Sequence, residues 1–272
     1  MKKKEIQLIA VDMDGTLLDP AGNLPSDTVA YFRGLKKRKI AFTLVSGRPI
    51  LFMEHIAQEL EITLPMVAFN GGALFNGKEI YRASPFSMAS LQHVLEEAAR
   101  IGATVLYYTA WEAFSLTTTS WIIKNKGTVR KFVIHTPTQA QWQDLEILKI
   151  ALVYHHRPGA FEIIDPLLAP FEQDFSINRY GNRSCEIMQK GITKATGLRA
   201  LSEHTAIPLS KILAIGDDTN DIEMIRQAGI GVAVSNAKSE VKEAADHVTL
   251  KSNTNGVIEA IERFGISEVI YP

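Results

Sequence analysis

The stretch AVDMDGTLLD, Ala10–Asp19, ends an apolar run on two carboxylates, Asp12 and Asp14, and then turns at once through a glycine. The preceding IQLIAV is β-rich and mostly apolar, as expected of a strand that is buried on both faces. Like charges this close repel each other, and burying either one costs free energy unless another group compensates. The stretch is therefore either a solvated turn or a site whose charge is balanced by other parts of the chain.

Similar runs, each followed by turn residues, recur along the chain: Ile40–Val45 before SGRP, Met66–Phe69 before NGG, Lys211–Ile215 before GDDTND, and Gly231–Val234 before SNA. Helical patterns alternate with them, over Ser26–Lys37, Pro49–Leu60, Thr193–Thr205, Asp218–Ala228, Ser239–Ala245 and Asn255–Phe264. Alternating strands and helices predict an α/β fold with a doubly wound, Rossmann-like parallel sheet.

The alternation stops in the middle of the chain. ALFNGKEIYRA is typical of a hairpin around Asn76-Gly77. Beyond it we expect helices over Met88–Ile101 and Gln139–Ile150, and strands at ATVLYY, AFSLTT, KFVIHT, AFEIID and FSINRY. This composition predicts an α+β unit, residues 83–185, inserted into a core domain formed by residues 1–82 and 186–272.

Chemically capable residues follow four of the predicted strands. They are Asp12 and Asp14, then Ser46, Gly47 and Arg48, then Asn70, Gly71 and Gly72, and finally Gly216, Asp217, Asp218, Asn220 and Asp221. Each cluster alone is also typical of an ordinary loop or a helix N-cap. Because parallel strands end at one edge, where open α/β sheets bind ligands, we expect the four clusters to converge on one crevice.

A divalent cation together with a phosphoryl group would explain this convergence. Mg²⁺ prefers carboxylate, water and phosphate oxygens, and Asp12 and Asp217 are candidate ligands. An ionised Asp12 can attack phosphorus, while Asp14 can protonate the leaving oxygen and later take a proton from water. Ser46 and a lysine would bind the phosphoryl oxygens. A calcium-binding EF-hand loop is disfavoured, because its twelfth position, which requires glutamate, is Asn23 here.

These residues resemble a known family pattern. DMDGT at Asp12–Thr16, SGR at Ser46–Arg48, a lysine before a helix, and GDDTND at Gly216–Asp221 resemble, in order, the four motifs of the haloacid dehalogenase superfamily phosphatases. The insert resembles the C2B cap of the Cof-type subfamily. The resemblance implies a Mg²⁺-dependent phosphatase acting on sugar phosphates and related small metabolites, with the insert as the cap that determines substrate specificity.

The resemblance also implies roles for individual residues. Asp12 would be the nucleophile and a metal ligand. Asp14 would be the general acid and base, and would bind the metal through its backbone carbonyl. Asp217 would bind the metal directly and Asp221 would hold a metal-bound water. Residues implied to line the phosphate site are Ser46, Gly47, Asn70, Gly71 and Asn220.

Some assignments remain open or depart from the family pattern. Lys194 matches the third-motif lysine and would be catalytic, with Lys190 as a rival on charge alone. Arg48 is either a charge at a helix start or a site residue. Ala195 stands where the family often has glycine, and Val234-Ser235 where it often has Met-Gly. We expect Asn236, the next residue, to contact the site through its loop.

Composition limits the choice of partners and compartment. The 272 residues carry a formal net charge of −1, which gives no reason to expect a nucleic-acid or membrane partner. The single cysteine, Cys185, fits a reducing compartment. The apolar run Ile6–Val11 is too short for a signal-peptide core. We therefore expect a cytoplasmic protein with a small phosphorylated substrate, and its oligomeric state cannot be read from the sequence.

Three functions are compatible with these patterns. The favoured one is a phosphatase that works through an aspartyl-phosphate. A phosphomutase or phosphotransferase would use the same intermediate, with a sugar hydroxyl in place of water. A non-catalytic binding protein on this fold has no need for Asp12, Asp14, Lys194 and Asp217, and the chain has all four.

Overall fold

The computed structural model describes residues 6–38, 40–124 and 132–264. The strands in these ranges are β1 (Leu8–Val11), β2 (Ala41–Leu44), β3 (Met66–Ala68), β4 (Ala73–Asn76), β5 (Glu79–Ala83), β6 (Thr104–Tyr108), β7 (Ala113–Ser115), β8 (Phe132–Ile134), β9 (Lys149–Val153), β10 (Phe175–Tyr180), β11 (Ser184–Gln189), β12 (Ile212–Gly216), β13 (Ile230–Ala233) and β14 (His247–Val248). The α-helices are α1 (Ser26–Lys37), α2 (Ile50–Glu59), α3 (Gln92–Arg100), α4 (Ser120–Lys124), α5 (Gln139–Asp144), α6 (Ala160–Leu168), α7 (Lys194–Thr205), α8 (Ile222–Gln227), α9 (Ser239–Ala244) and α10 (Asn253–Phe264).

The chain divides into two compact units. The first contains the residues up to Arg82 and those from Thr193 onward, and the second contains Ala83–Ile192. The boundary at which the second unit ends, 192/193, therefore lies seven residues after the predicted boundary at 185/186. That boundary falls inside β11, which pairs with β9 and β10 of the second unit and cannot be separated from their sheet.

The first unit is built on a five-stranded sheet in the order β14-β13-β12-β1-β2. All neighbouring strands are parallel, and a parallel bridge between Val45 and Val67 links β2 to β3. Every residue of β1, β2, β12 and β13 is buried, because helices cover parallel sheets on both faces. The predicted doubly wound α/β fold is confirmed.

The register of the central strands places the predicted site residues side by side. Val11, at the end of β1, pairs with Ile215 on β12 and with Leu44 on β2. The residues after these three strands therefore emerge at the same edge of the sheet. In the first unit the predicted helix bounds agree within two residues, except that α8 begins at Ile222 because residues 219–221 form a separate turn. In the second unit α3 begins at Gln92, four residues after the predicted Met88, because residues 89–91 form a separate turn.

The second unit contains a six-stranded sheet in the order β10-β11-β9-β6-β7-β8. The sheet is antiparallel except for the parallel pair β7 and β8. One face packs on a hydrophobic cluster that includes Tyr107, Trp142, Leu152 and Ile187. The predicted α+β character of this segment is confirmed. Lys131, in the predicted strand KFVIHT, lies outside the described residues.

Two predictions inside the second unit are wrong. The helix expected over Gln139–Ile150 ends at Asp144, and its last part belongs to strand β9 in the middle of the sheet. AFEIID is not a strand but the start of α6. Ala160, Ile164 and Leu168 are buried at intervals of four residues, so the apolar residues follow the helical period and not the period of two.

Helix α7 packs close to β3 and to the turn that follows it, because α7 carries glycine at the point of contact. A Cβ atom on Gly197 would lie 2.4 Å from Val67 Cγ1 and 2.8 Å from Gly71 Cα. Real Cβ atoms do not approach backbone this closely, so a larger residue would push α7 away from β3.

We predict that Gly197→Ala destabilises the fold by about 1–3 kcal/mol through this overpacking. Gly34→Ala is the matched control, since Gly34 also lies in a helix and a Cβ there meets nothing within 4 Å. The control should be unchanged or more stable by up to about 1 kcal/mol. Far-UV circular dichroism during urea unfolding is the suitable measurement, because all three tryptophans belong to the second unit. Equal stabilities for the two variants would contradict the close approach.

Candidate active site

The turn after β1 is closed by backbone hydrogen bonds and contains a glycine, Gly15, that its geometry requires. Its amides bond five residues back, Leu17 N to Asp12 O at 3.2 Å and Leu18 N to Met13 O at 2.8 Å. Gly15 has a φ of +79°, in the left-handed region, and a Cβ there would lie 2.4 Å from Asp217 Oδ2. Only glycine combines this conformation with this contact, so DMDGT brings the first-motif turn against the Asp217 carboxylate.

A buried lysine joins the ends of the first and fourth motifs. Lys194 Nζ donates to Asp12 Oδ1 and to Asp221 Oδ1, each at 2.6 Å. The residues are 2 %, 3 % and 0 % exposed, in the order Lys194, Asp12 and Asp221. Single oxygens of Asp12, Asp217 and Asp221 lie within 4.8 Å of one another, a group able to hold a metal ion. Four of the predicted site residues thus meet at one edge of the sheet.

Lys190, the rival lysine, is placed elsewhere. It belongs to the second unit, and its Nζ donates to the backbone carbonyl of Glu172. Its side chain is exposed, whereas Lys194 is fully enclosed at the start of α7. The contacts therefore favour Lys194 as the lysine of the site.

The charge of this group is unbalanced in a way that suits a divalent cation. Three carboxylates surround one ammonium, so full ionisation leaves two surplus negative charges. Burial raises the pKa of Asp12 well above its usual range, and burial also raises the pKa of Asp217. Burial alone would lower the pKa of Lys194, but Asp12 and Asp221 raise it well above its ordinary value, so the lysine stays charged. The oxygen-rich, negatively charged donor set fits Mg²⁺ or a similar hard ion.

Asp221 and Asp217 are held in different ways. Asp221 Oδ2 accepts from the amides of Asp217 and Asp218, at 3.0 and 3.1 Å, while Oδ1 faces Lys194. Both Asp221 oxygens are thus engaged by the protein, as expected for a residue that reaches a metal only through water. Asp217 Oδ1 accepts from Thr16 Oγ1 at 2.6 Å. Sequence reasoning assigned no role to Thr16, although its place in DMDGT was the available signal.

The second and third predicted strands also end at this edge. Asn70 N donates to Ser46 O at 3.0 Å, and Asn220 Nδ2 donates to Asn70 Oδ1 at 3.0 Å. Phe69, Asn70 and Gly71 all have positive φ, at 53°, 52° and 103°. Such a strained run costs free energy and often marks a functional site.

Glycines let the polar residues of this run pack tightly. A Cβ on Gly47 would lie 2.9 Å from Asn70 Oδ1, and one on Gly71 would lie 2.2 Å from the carbonyl of Thr193. Thr193 directly precedes Lys194, so the NGG turn contacts the start of the helix that carries the lysine. The five residues expected to line a phosphate site are brought near one another by these contacts, and their role in binding phosphate stays a prediction.

Asp14 lies outside the carboxylate group. Its side chain forms a two-point ion pair with Arg48, at 2.8 Å to Nε and 2.5 Å to Nη2, and it is 58 % exposed. Arg48 N in turn donates to Ser46 Oγ at 3.1 Å. Arg48 thus contacts the residue predicted to be the acid and base, which favours the interpretation of Arg48 as a site residue over that of a charge at a helix start.

The loop expected to reach the site through Asn236 does so. Asn236 Nδ2 donates to the carbonyl of Gly15 at 2.8 Å. Asn253 Nδ2 donates to the same carbonyl at 2.9 Å, and sequence reasoning missed this residue. Its surroundings, KSNTNG, are typical of an ordinary polar loop, and no motif marks it.

Comparisons with known proteins agree with this geometry. The pattern of the haloacid dehalogenase-like hydrolases matches residues 9–261. A phosphoglycolate phosphatase of Methanothermobacter thermautotrophicus is 28 % identical over 95 % of this chain and 99 % of its own length. A 5-amino-6-(5-phospho-D-ribitylamino)uracil phosphatase of Bacillus subtilis, YcsE, is 25 % identical over 96 % of each chain.

A solved structure is also similar over nearly its full length. It is that of a haloacid dehalogenase-like hydrolase from Bacteroides thetaiotaomicron, with a TM-score of 0.82, 29 % identity, and coverage of 95 % of this chain and 99 % of that one. The family match covers far more than half of the chain and includes the four motifs. The chain therefore belongs to the haloacid dehalogenase-like hydrolases, as the motifs predicted.

Proposed function

We propose that this enzyme is a Mg²⁺-dependent phosphatase that hydrolyses small phosphorylated metabolites through an aspartyl-phosphate on Asp12. The observation that carries the proposal is the buried Lys194 ammonium, 2.6 Å from both Asp12 and Asp221, beside the carboxylate of Asp217. Membership of a hydrolase family and the phosphatase names of two full-length relatives support it.

Asp12, Asp217 and the backbone carbonyl of Asp14 would hold the metal ion, with Asp221 acting through water. When bound, the cation neutralises charge between the nucleophile and the phosphoryl oxygens. It also opposes the effect of burial on the pKa of Asp12, so the nucleophile remains ionised. Lys194 contributes in the same direction through its hydrogen bond to Asp12 Oδ1.

The reaction has two steps. In the first, an Asp12 oxygen forms a bond to phosphorus as the bond to the leaving oxygen breaks, and Asp14 gives that oxygen a proton. In the second, Asp14 takes a proton from water, whose oxygen attacks phosphorus and releases phosphate from Asp12. The Ser46 hydroxyl and the polar NGG turn bind the phosphoryl oxygens, whose spread charge must be matched in both transition states.

We further propose that the substrates are sugar phosphates or similar small esters, and that the second unit is the cap that selects them. The Bacillus subtilis relative is named for a substrate with a phosphorylated ribityl chain, and the archaeal relative for phosphoglycolate. A cap would exclude bulk water from the two steps. Within the described residues no helix has both the length and the hydropathy to cross a bilayer. We propose a cytoplasmic location on the basis of the single cysteine, which fits a reducing compartment.

The decisive test is phosphate release from a panel of sugar phosphates, nucleotides and one activated aryl phosphate, with Mg²⁺ and with a chelator. We expect metal-dependent release that falls by about 10³-fold or more in Asp12→Asn, which removes the nucleophile. Asp218→Asn is the matched control from the neighbouring loop, since its carboxylate pairs with Lys238 and lies outside the metal group. No release in water, but transfer to an added sugar, would favour a phosphomutase. Near-normal activity of Asp12→Asn would refute the nucleophile.

A second prediction concerns Asp14. Asp14→Asn should reduce turnover about 10²–10⁴-fold for sugar phosphates, whose leaving oxygens need a proton. The loss in the first step should be much smaller for the aryl phosphate, because a phenolate leaves without protonation. The burst of phenol release on mixing enzyme and substrate separates this step from hydrolysis of the intermediate. Equal losses in the burst for good and poor leaving groups would contradict the acid role.

A third prediction uses the buried ion pair. Lys194→Met leaves Asp12 and Asp221 without their shared cation, which should cost activity and about 3–5 kcal/mol of stability at pH 8. Burial raises the pKa of Asp12, and a buried carboxyl of this kind destabilises the fold when ionised and ceases to do so once protonated, so the deficit should shrink toward pH 5. Thermal unfolding at both pH values measures it, with the exposed Lys190→Met as control. A deficit independent of pH would show that packing, not charge, is lost.

A further inference from the structure

The backbone of the catalytic turn is held from outside, by side chains far along the chain. The Gly15 carbonyl accepts two hydrogen bonds, from Asn236 Nδ2 at 2.8 Å and from Asn253 Nδ2 at 2.9 Å. Gly15 lies between Thr16, which bonds Asp217, and Asp14, the predicted acid and base. The two asparagines therefore bind the turn at the residue that separates Asp14 from Thr16.

The same segment binds two further carbonyls of the turn. Asn253 Nδ2 also donates to Leu18 O at 3.0 Å, and Thr254 Oγ1 donates to Leu17 O at 2.6 Å. Thr254 is only 2 % exposed, so its hydroxyl is committed to this bond. The start of α10 thus supplies hydrogen-bond donors to three carbonyls of the first-motif turn, those of Gly15, Leu17 and Leu18, which need partners when buried.

The two asparagines are bonded to each other and to the loop of the fourth motif. Asn253 N donates to Asn236 Oδ1 at 2.9 Å, which fixes the orientation of the Asn236 amide. Two residues after Asn236, Lys238 N donates to the carbonyl of Asp217 at 3.0 Å. The short segment Asn236–Lys238 therefore connects the two loops, with a hydrogen bond to the Gly15 carbonyl at one end and one to the Asp217 carbonyl at the other.

Asn253 adopts an unfavourable backbone conformation in this position. Its φ is +47°, and among non-glycine residues asparagine tolerates the left-handed region best. Asn255, two residues later, is exposed, and among the described residues its side chain makes no hydrogen bond. The start of α10 thus carries one asparagine whose side chain is hydrogen-bonded, Asn253, and one whose side chain is exposed, Asn255, which serves as a comparison.

We propose that Asn253, joined to Asn236, is a positioning residue that holds the Asp12–Thr16 turn in register with Asp217. The proposal rests on the function proposed above. Without the Asn253 amide, the carbonyls of Gly15 and Leu18 lose a fixed donor, and the turn gains freedom relative to Asp217. Misplacement of a reacting group by about 1 Å can cost 10²-fold in rate, so the effect falls on the chemical steps and not on substrate capture.

The test is Asn253→Gly, because glycine keeps the positive φ without strain and removes only the amide. Asn255→Gly is the control for the loss of a helix-start asparagine. With the best panel substrate, Asn253→Gly should lower kcat by about 10- to 100-fold with KM within about threefold. Asn255→Gly should retain kcat within about twofold. Asn253→Asp, which turns an oxygen toward two carbonyls, should be at least as damaging as Asn253→Gly.

A second measurement does not depend on activity. Hydrogen–deuterium exchange by mass spectrometry of the peptide covering residues 12–18 should be faster in Asn253→Gly and unchanged in Asn255→Gly. Unchanged exchange in Asn253→Gly, or a kcat equal to that of Asn255→Gly, overturns the proposal. If Asn253→Gly does not fold, Asn236→Ala carries the same test, with a smaller expected effect because Asn253 still binds Gly15. If the native chain hydrolyses nothing, the proposed function fails, while the exchange measurement still decides whether Asn253 holds the turn.

Discussion

The site depends on one buried ammonium group that is shared by two carboxylates. Lys194 Nζ can reach both Asp12 and Asp221 only if the first turn of α7 comes within side-chain reach of the ends of β1 and β12. Gly197 makes that approach possible on α7, and Gly71 makes it possible on the turn that faces it. An unpaired charge buried in this place would cost much free energy. The Lys194 ammonium can therefore be buried only when α7 and the ends of β1 and β12 are all in place.

The parallel sheet solves the problem of bringing distant carboxylates together. Asp12 and Asp217 are about two hundred residues apart, but β1 and β12 are neighbours in register, with Val11 opposite Ile215. Asp12 directly follows Val11, and Asp217 follows Ile215 by two residues, so both carboxylates emerge at the same edge of the sheet. The repulsion between the Asp12 and Asp217 carboxylates is offset, because Lys194 donates a hydrogen bond to Asp12 and Thr16 donates one to Asp217. The meeting of the Asp12 and Asp217 carboxylates thus depends on the in-register pairing of β1 and β12.

Sequence reasoning succeeded where the signal is local and repeated. Runs buried on both faces have one simple pattern, and polar residues follow them directly, so the core sheet and the convergence of Asp12 and Asp217 could be predicted from these patterns. Lys194 and the role of Asp221 were predicted only through the resemblance to a family. It failed where tertiary pairing decides the structure. The segment Lys149–Val153 became a central strand because both β6 and β11 pair with it, and neither partner is visible from the segment itself. Asn253 was missed for the same reason, since its side chain binds the carbonyls of Gly15 and Leu18, which lie 235 or more residues earlier in the chain.

The position of Lys194 is fixed by hydrogen bonds at the start of α7. The second unit ends at Ile192, only two residues before the lysine. Thr193 and Thr196 cap the start of α7 reciprocally, with bonds of 3.0 and 3.2 Å between each side chain and the other's amide. Gly197 N also donates to Thr193 O at 3.1 Å. Because these bonds lie within the first unit, the helix start is defined by the unit that contains the carboxylates. The bonds that fix the start of α7, and with it the ammonium group at Asp12 and Asp221, are thus made by residues of the first unit.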